Sequence, residues 1–225
     1  MALDNKQNMT VGKSFHQDSS FRQVTGSAAY IDDIPLPKNC LHGALVLSDI
    51  ASGTITSMDL REVRKLDFSC HVITAKDIPG KNDIAPIFSD EPILADKNVT
   101  YIGQPIALVL ASTMEKARLA ARKVKIKIIE KKNPILSLET AFKRKSFFLK
   151  PILLERGKAV EKIKFSDCKL DGSFSIGGQD HFYLETHIAL SIPKENSEYT
   201  VWSSTQHPTE VQHGVSKVLN IPSAK

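Results

Sequence analysis

An α+β fold is predicted for this 225-residue chain by three features. Pro105 to Ile129 reads as strand, helix, strand; several short apolar runs end at turn residues; and a loop rich in Pro, Asp and Asn, Gly80 to Lys97, divides the early strands from the later ones. An apolar content of 41% over this length is enough to bury a core.

Residues 1–20 are polar and unpatterned, and Val24 to Pro37 reads as turn-rich chain entering a domain. Gly43 to Ser48 is a strand too apolar to have a wet face, and Thr54 to Leu60 a second strand. Arg61 to Lys65 forms a short helix, Cys70 to Thr74 a buried strand and Ala75 to Pro79 a turn. Beyond the long loop come strands at Asn98–Tyr101 and Pro105–Ala111. Thr113 to Lys123 is the clearest helix: Ser112 and Glu115 fit a capping box, and Met114, Ala117, Ala120 and Ala121 give it a narrow apolar face. Val124 to Ile129 follows as a strand, and Glu139 to Phe142 adds a helical turn after Pro134.

Lys143 to Lys164, with scattered charge, Pro151 and Gly157, is expected to cross a surface as connecting chain. Alternation resumes at Leu170, Gly172, Phe174 and Ile176, at Phe182, Leu184 and Thr186, and at Ile188, Leu190 and Ile192. A turn at Pro193–Asn196 and a returning strand, Tyr199–Ser203, make a hairpin. Pro208 then opens a helix whose Val211, Val215, Val218 and Leu219 share one face, and Asn220 with Pro222 ends it. The expected layout is an extension (1–20), a first domain (21–135), a connecting segment (136–165) and a second domain (166–225).

Several function classes lose support. The net charge of +5 and the tract Lys123, Lys125, Lys127, Lys131 and Lys132 suggest nucleic acid. Val124, Ile126 and Ile128 alternate with those lysines, however, as in a strand with one buried face, and no aromatics interleave to stack bases; no nucleic-acid partner is expected. No apolar run reaches the roughly 20 residues of a membrane helix, and Met1–Ser20 lacks the pattern of a secretory signal, so a cytoplasmic protein without a membrane partner is expected. Cys40, Cys70 and Cys168 form no CxxC pair, which argues against an iron–sulfur cluster or a zinc site in this chain.

The densest chemistry lies in Gly177-Gly178-Gln179-Asp180-His181-Phe182-Tyr183-Leu184-Glu185 and in Ser203-Ser204-Thr205-Gln206-His207-Pro208, which place many directional hydrogen-bonding groups on short lengths of backbone. From the residues alone, Gln206 reads as an amide closing the turn before the last helix. Gly177 and Gly178 read as a bend or a close backbone approach, with Gln179, His181, Glu185 and His187 as internal hydrogen-bond partners. Neither His181 nor His187 lies beside a carboxylate or cysteine set at metal spacing, so no metal ligand is assigned.

These motifs resemble the molybdenum-binding subunit of the xanthine dehydrogenase and aldehyde oxidase family. Val24-Thr25-Gly26, Tyr30 to Pro35, Leu41 to Val46, Asp77 to Asp83 and Ile102 to Ala107 resemble, in order and spacing, its α/β hammerhead domain. The resemblance runs from about Gly12 through nearly the whole chain and is greatest to the xanthine dehydrogenase branch. It implies a hammerhead domain followed by the first, incomplete part of a molybdopterin-binding domain. It also implies molybdenum held by a pterin in the complete enzyme, hydroxylation of an electron-poor purine carbon with oxygen from water, and partners comprising the remainder of the molybdenum-binding subunit and the iron–sulfur and FAD subunits or domains. Gln206 matches the family's glutamine that hydrogen-bonds to an oxygen ligand of the metal. Gln179, His181 and Phe182 stand where the family has residues near the cofactor. The family's later Gly-Gly-Gly-Phe-Gly-Gly-Lys-Glu loop, substrate-orienting arginine and basic glutamate are not among these residues, so the chain alone is expected to hold no cofactor stably and to be inert. A non-catalytic hammerhead or subunit-assembly module is the alternative.

Overall fold

The structure is a computed structural model that describes residues 11–85 and 87–225. In chain order its first elements are α1 (Ser20–Thr25), β1 (His42–Leu47), β2 (Gly53–Asp59), α2 (Arg61–Arg64), β3 (Cys70–Thr74), β4 (Asn98–Val99) and β5 (Pro105–Ala111). They are followed by α3 (Met114–Lys123), β6 (Lys125–Glu130), α4 (Leu138–Lys143), α5 (Ala159–Lys164), β7 (Ala189–Pro193), β8 (Tyr199–Ser203) and α6 (Pro208–Leu219). The chain divides into a larger unit, Leu41–Tyr183 with Lys217–Asn220, and a smaller one made of the segments up to Cys40, Leu184–Ser216 and Ile221–Lys225.

The larger unit contains two antiparallel three-stranded sheets, ordered β1-β5-β3 and β4-β2-β6. The central strand β5 buries Ala107, Val109 and Ala111 in one cluster with Ala117, Ala120 and Ala121 of α3, joined by Ala44, Val46 and Val63. Small side chains on the helix let its backbone come close to the sheet, and burial of these faces supplies the main drive for this half of the fold. Ile106, on the opposite face of β5, packs with Ala95 and Val99 in a second cluster, against which Ile55, Ile126 and Ile128 of the other sheet also lie. The alternation of lysine and isoleucine in β6 has its expected cause: Lys125 and Lys127 are exposed, whereas Ile126 and Ile128 are half-buried.

Two Asp-Ile-Pro sequences build the same local device. Asp33 Oδ2 accepts from the Tyr30 amide at 2.9 Å, and Asp77 Oδ2 accepts from the Thr74 amide at 2.8 Å. Each carboxylate closes a short 3-10 turn, Ile31–Asp33 or Ala75–Asp77, and the isoleucine that follows is extended, as a residue before proline prefers.

The loop after Pro79 is irregular but heavily bonded. Asn82 holds Leu94 through both ends of its amide, donating to the carbonyl at 2.6 Å and accepting from the backbone N–H at 3.0 Å. Buried Asp83 accepts from Ser89 Oγ at 2.7 Å, from the Ala85 and Glu91 amides, and from Lys217 Nζ at 3.0 Å. The Gly80 amide donates to the Val218 carbonyl at 2.8 Å, and a Cβ at Gly80 would stand 2.1 Å from the Lys217 oxygen, so only glycine permits this approach. Gln104 is also buried, accepting from the Thr100 amide at 2.7 Å beside Gly103 at φ +86°. The motifs Asp77–Asp83 and Ile102–Ala107 therefore have structural work in the larger unit.

Four expectations are corrected. β1 does have a wet face, for Leu45 and Leu47 alternate with buried Ala44 and Val46 and are about half exposed. The α3 cap is Thr113, not Ser112: its hydroxyl accepts from the Lys116 amide at 3.2 Å. Residues 159–164 form α5 inside the stretch expected to be connecting chain, with Lys158 and Glu161 paired at 3.3 Å. The alternation at Leu170–Ile176 and at Phe182–Thr186 forms no strand, and Leu170 and Phe174 are 99% and 89% exposed. Alternation specifies two faces but supplies no ladder partner, and no described strand pairs with this stretch.

In the smaller unit, β7 and β8 form an antiparallel hairpin that pairs Ala189 with Ser203 and Pro193 with Tyr199. The Tyr199 amide donates to the Lys225 carbonyl at 2.9 Å, and Gln212 Nε2 of α6 donates to the Ser223 carbonyl at 2.7 Å. The 221–225 segment is thereby fastened to both strand and helix.

Asp83 gives a test of the loop. Its hydrogen bonds from Ser89 and Lys217 hold its carboxyl well below the usual range, so its contribution is present above the unfolded value of about 3.9 and is lost as pH falls through and below it. Asp83→Asn is expected to unfold at lower urea than the parent at pH 7. Its stability should also decline less steeply than the parent's below about pH 4, as measured by urea titrations across pH.

Candidate functional site

The corner between β8 and α6 is constructed from side chains that bond to nearby backbone. Ser204 Oγ accepts from the Ile188 amide at 3.0 Å and donates to the Thr186 carbonyl at 2.8 Å. It therefore stitches the end of β8 to the segment entering β7. Thr205 Oγ1 accepts from the His207 amide at 3.0 Å, a local turn of the kind that threonine favours. His207 Nδ1 in turn accepts from the Glu210 amide at 3.1 Å, sharing this first-turn donor of α6 with the His207 carbonyl, also at 3.1 Å. That tautomer carries its proton on Nε2. Pro208 occupies the first helical position, where its missing N–H costs nothing.

Gln206 sits at the bend between these bonded residues and is exposed. Its neighbours hold the backbone, and no bond among the described residues ties down its amide. The residue-level expectation of a turn-closing amide is thus corrected, because Thr205 and His207 close this turn.

The other motif divides at the boundary between the units. Gln179, His181 and Phe182 belong to the larger unit and Gln206 to the smaller. Gln179, His181 and Phe182 are all exposed. Asp180 Oδ1 accepts from the Phe182 amide at 2.8 Å, and Phe182 takes a left-handed φ of 51°. The His181 and Tyr183 rings lie 6.4 Å apart. Nothing stands within 4 Å of a Cβ built on Gly177 or Gly178, so the expected close backbone approach is absent there.

Glu185, expected as an internal hydrogen-bond partner, makes such a bond, to a backbone group that the sequence did not disclose. Its Oε1 accepts from the Ile31 amide at 2.8 Å, linking the polar motif to the Tyr30–Pro35 motif within the smaller unit. The available signal was only that both motifs occur in one chain; spacing could not join residues 154 positions apart. Among the described residues there is no group of three or more His, Cys, Asp or Glu able to hold a metal ion.

Comparison with known proteins identifies the lineage. The family description "Aldehyde oxidase and xanthine dehydrogenase, a/b hammerhead domain" matches residues 25–132, and "Molybdopterin cofactor-binding domain" matches residues 143–225. The chain belongs to the aldehyde oxidase and xanthine dehydrogenase family. It is 40% identical over 216 residues to xanthine dehydrogenase/oxidase of Gallus gallus, a match covering 95% of this chain and 16% of that protein. Aldehyde oxidase 2 of Mus musculus is also 40% identical, over 213 residues that cover 94% of this chain and 16% of the relative. The chain thus spans about one sixth of the length of these relatives. Among solved structures, aldehyde oxidoreductase from Desulfovibrio gigas superposes with a TM-score of 0.76 at 25% identity, covering 92% of this chain and 25% of that one. This kinship establishes a mixed α/β fold with a hammerhead domain ahead of cofactor-binding-domain sequence, and a molybdenum-dependent hydroxylase lineage.

The stitching bonds can be tested directly. Ser204→Ala and Glu185→Ala are each expected to lower stability by about 1 kcal/mol, whereas Glu185→Gln, which keeps an acceptor, should cost less. Gln206→Ala should leave the urea midpoint unchanged, since its exposed amide makes no bond here.

Proposed function

We propose that these residues form part of a molybdenum hydroxylase that oxidises purines such as hypoxanthine or xanthine. Residues 21–135 serve as its hammerhead domain and residues 166–225 begin its cofactor-binding domain, joined by 136–165. The observation that carries this reading is the succession of two family matches, 25–132 and 143–225, along one chain. An exposed amide on a bonded corner fits the cofactor expected there: it can donate to an oxygen ligand without adding charge, and its fixed backbone limits the orientations it samples. The bound molybdopterin supplies the redox chemistry. Gln206 orients a hydrogen bond, with Gln179, His181 and Phe182 as neighbours of the cofactor.

The partners proposed are the remaining segments of the molybdenum-binding subunit and the iron–sulfur and FAD components, in the cytoplasm. The 225 residues by themselves are proposed to be inert. Supporting this, Leu154, Leu170, Phe174 and Phe182 are 91%, 99%, 89% and 96% exposed, a density of open apolar surface that suits burial against further protein. The same surface also favours the rival reading, a non-catalytic assembly module.

Assay of the assembled enzyme separates the two. Gln206→Ala should lower kcat on hypoxanthine by about 10- to 100-fold, while the isolated chain should retain neither molybdenum nor pterin after purification. Unchanged turnover in the variant sinks the role of Gln206. An assembled protein that binds partners but no cofactor establishes the module, and an isolated chain that retains cofactor and oxidises hypoxanthine overturns its inertness.

A further inference from the structure

We infer that His207 is a positioning residue for Gln206, acting through the first turn of α6, with Thr205 as its support. The inference rests on the reading of Gln206 given above. Gln206 is flanked by two residues whose side chains both bond to the backbone of this corner: Thr205 Oγ1 accepts from the His207 amide at 3.0 Å, and His207 Nδ1 accepts from the Glu210 amide at 3.1 Å. The first bond spans the Gln206 backbone and fixes its bend. The second fixes where the helix begins relative to that bend.

His207 stands three residues before Glu210 and immediately before Pro208, the place of a helix cap, where Asn, Asp, Ser and Thr are the usual occupants. An imidazole nitrogen here performs an acceptor's task with a longer, planar side chain. Serine and threonine already occupy Ser203, Ser204 and Thr205, and Ser204 is engaged with Thr186 and Ile188. His207 meets the first turn through two acceptors, its Nδ1 and its carbonyl, the carbonyl taking the Glu210 and Val211 amides at 3.1 and 3.2 Å. Without the ring the Glu210 amide keeps only the His207 carbonyl at 3.1 Å, the first turn loosens, and the restraint that the His207 side chain places beside Gln206 is lost. A glutamine that must meet a ligand atom at hydrogen-bond distance would then sample many orientations, and small misplacement of a directing group lowers turnover steeply.

The chemistry predicts which replacements are tolerated. Asparagine is a strong helix cap and offers a neutral oxygen acceptor at a similar reach, so His207→Asn should preserve the corner. Alanine removes the acceptor. Thr205→Val keeps the shape of an exposed side chain but deletes the oxygen that receives the His207 amide.

The experiment pairs a structural with a kinetic readout. Amide hydrogen exchange is followed at Glu210 in the full chain, and kcat and KM for hypoxanthine are measured in the assembled enzyme. His207→Ala is expected to speed exchange at Glu210 by about tenfold or more as the first turn opens. It should lower kcat by about tenfold with KM changed less than about twofold, and His207→Asn should restore both readings. Thr205→Val should lower kcat in the same direction, and it decides the matter should His207→Ala not fold. If Gln206→Ala lowers kcat while His207→Ala and Thr205→Val leave it unaltered, the positioning role is overturned and the reading of Gln206 stands. If Gln206→Ala itself has no effect, that reading fails first and the positioning role falls with it.

Discussion

A hydroxyl that bonds backbone on two sides anchors the corner on which the role proposed for Gln206 depends. Ser204 Oγ joins the Thr186 carbonyl to the Ile188 amide at the mouth of the β7–β8 hairpin, so the chain leaves β8 in one direction. Thr205 Oγ1 and His207 Nδ1 then set the bend at Gln206 and the start of α6 at Pro208, with the Gln206 side chain exposed. Net hydrogen-bond energies are small, about 1 kcal/mol each, but here they select a conformation rather than supply the bulk of stability. That bulk comes from burial, which in the larger unit is concentrated where β5 meets α3.

The stretches that resemble the hammerhead domain, in both units, show how a sequence motif that looks functional can be architectural. Asp33 and Asp77 close short turns, Asp83 gathers a loop, Gly80 admits a carbonyl, and Gln104 is buried against Thr100. Each belongs to a stretch that resembles the hammerhead domain, and each has a backbone partner. Such positions tie the resemblance to physical need: a carboxylate that receives an N–H three residues earlier cannot be exchanged freely without losing the turn. The same reasoning separates Glu185, which bonds to Ile31, from Gln206, which bonds to nothing described.

The sequence made the strand–helix–strand core legible because lysine–isoleucine alternation in β6 and the alanines of α3 report local burial, which periodicity encodes. It also placed Pro208 and the hairpin, since proline and turn residues act within a few positions. It misled at Leu170–Ile176, where apolar alternation describes what a strand would do with a neighbour and no described strand provides one. It missed α5, whose six residues carry too short a pattern to register, and it chose Ser112 over Thr113 because adjacent hydroxyl residues offer the same chemistry to the helix start. Gln206 was found through resemblance rather than pattern, and the bonds of Ser204, Thr205 and His207 that hold its corner depend on side-chain directions that sequence spacing does not specify.

The most direct measurement is a structure of the assembled, cofactor-loaded enzyme at a resolution that defines side-chain amides. The account predicts Gln206 Nε2 within about 2.7–3.2 Å of an oxygen bound to molybdenum, with the Ser204 bridge intact. A side chain at 206 pointing away from the cofactor, with no bound oxygen in hydrogen-bond reach, contradicts it.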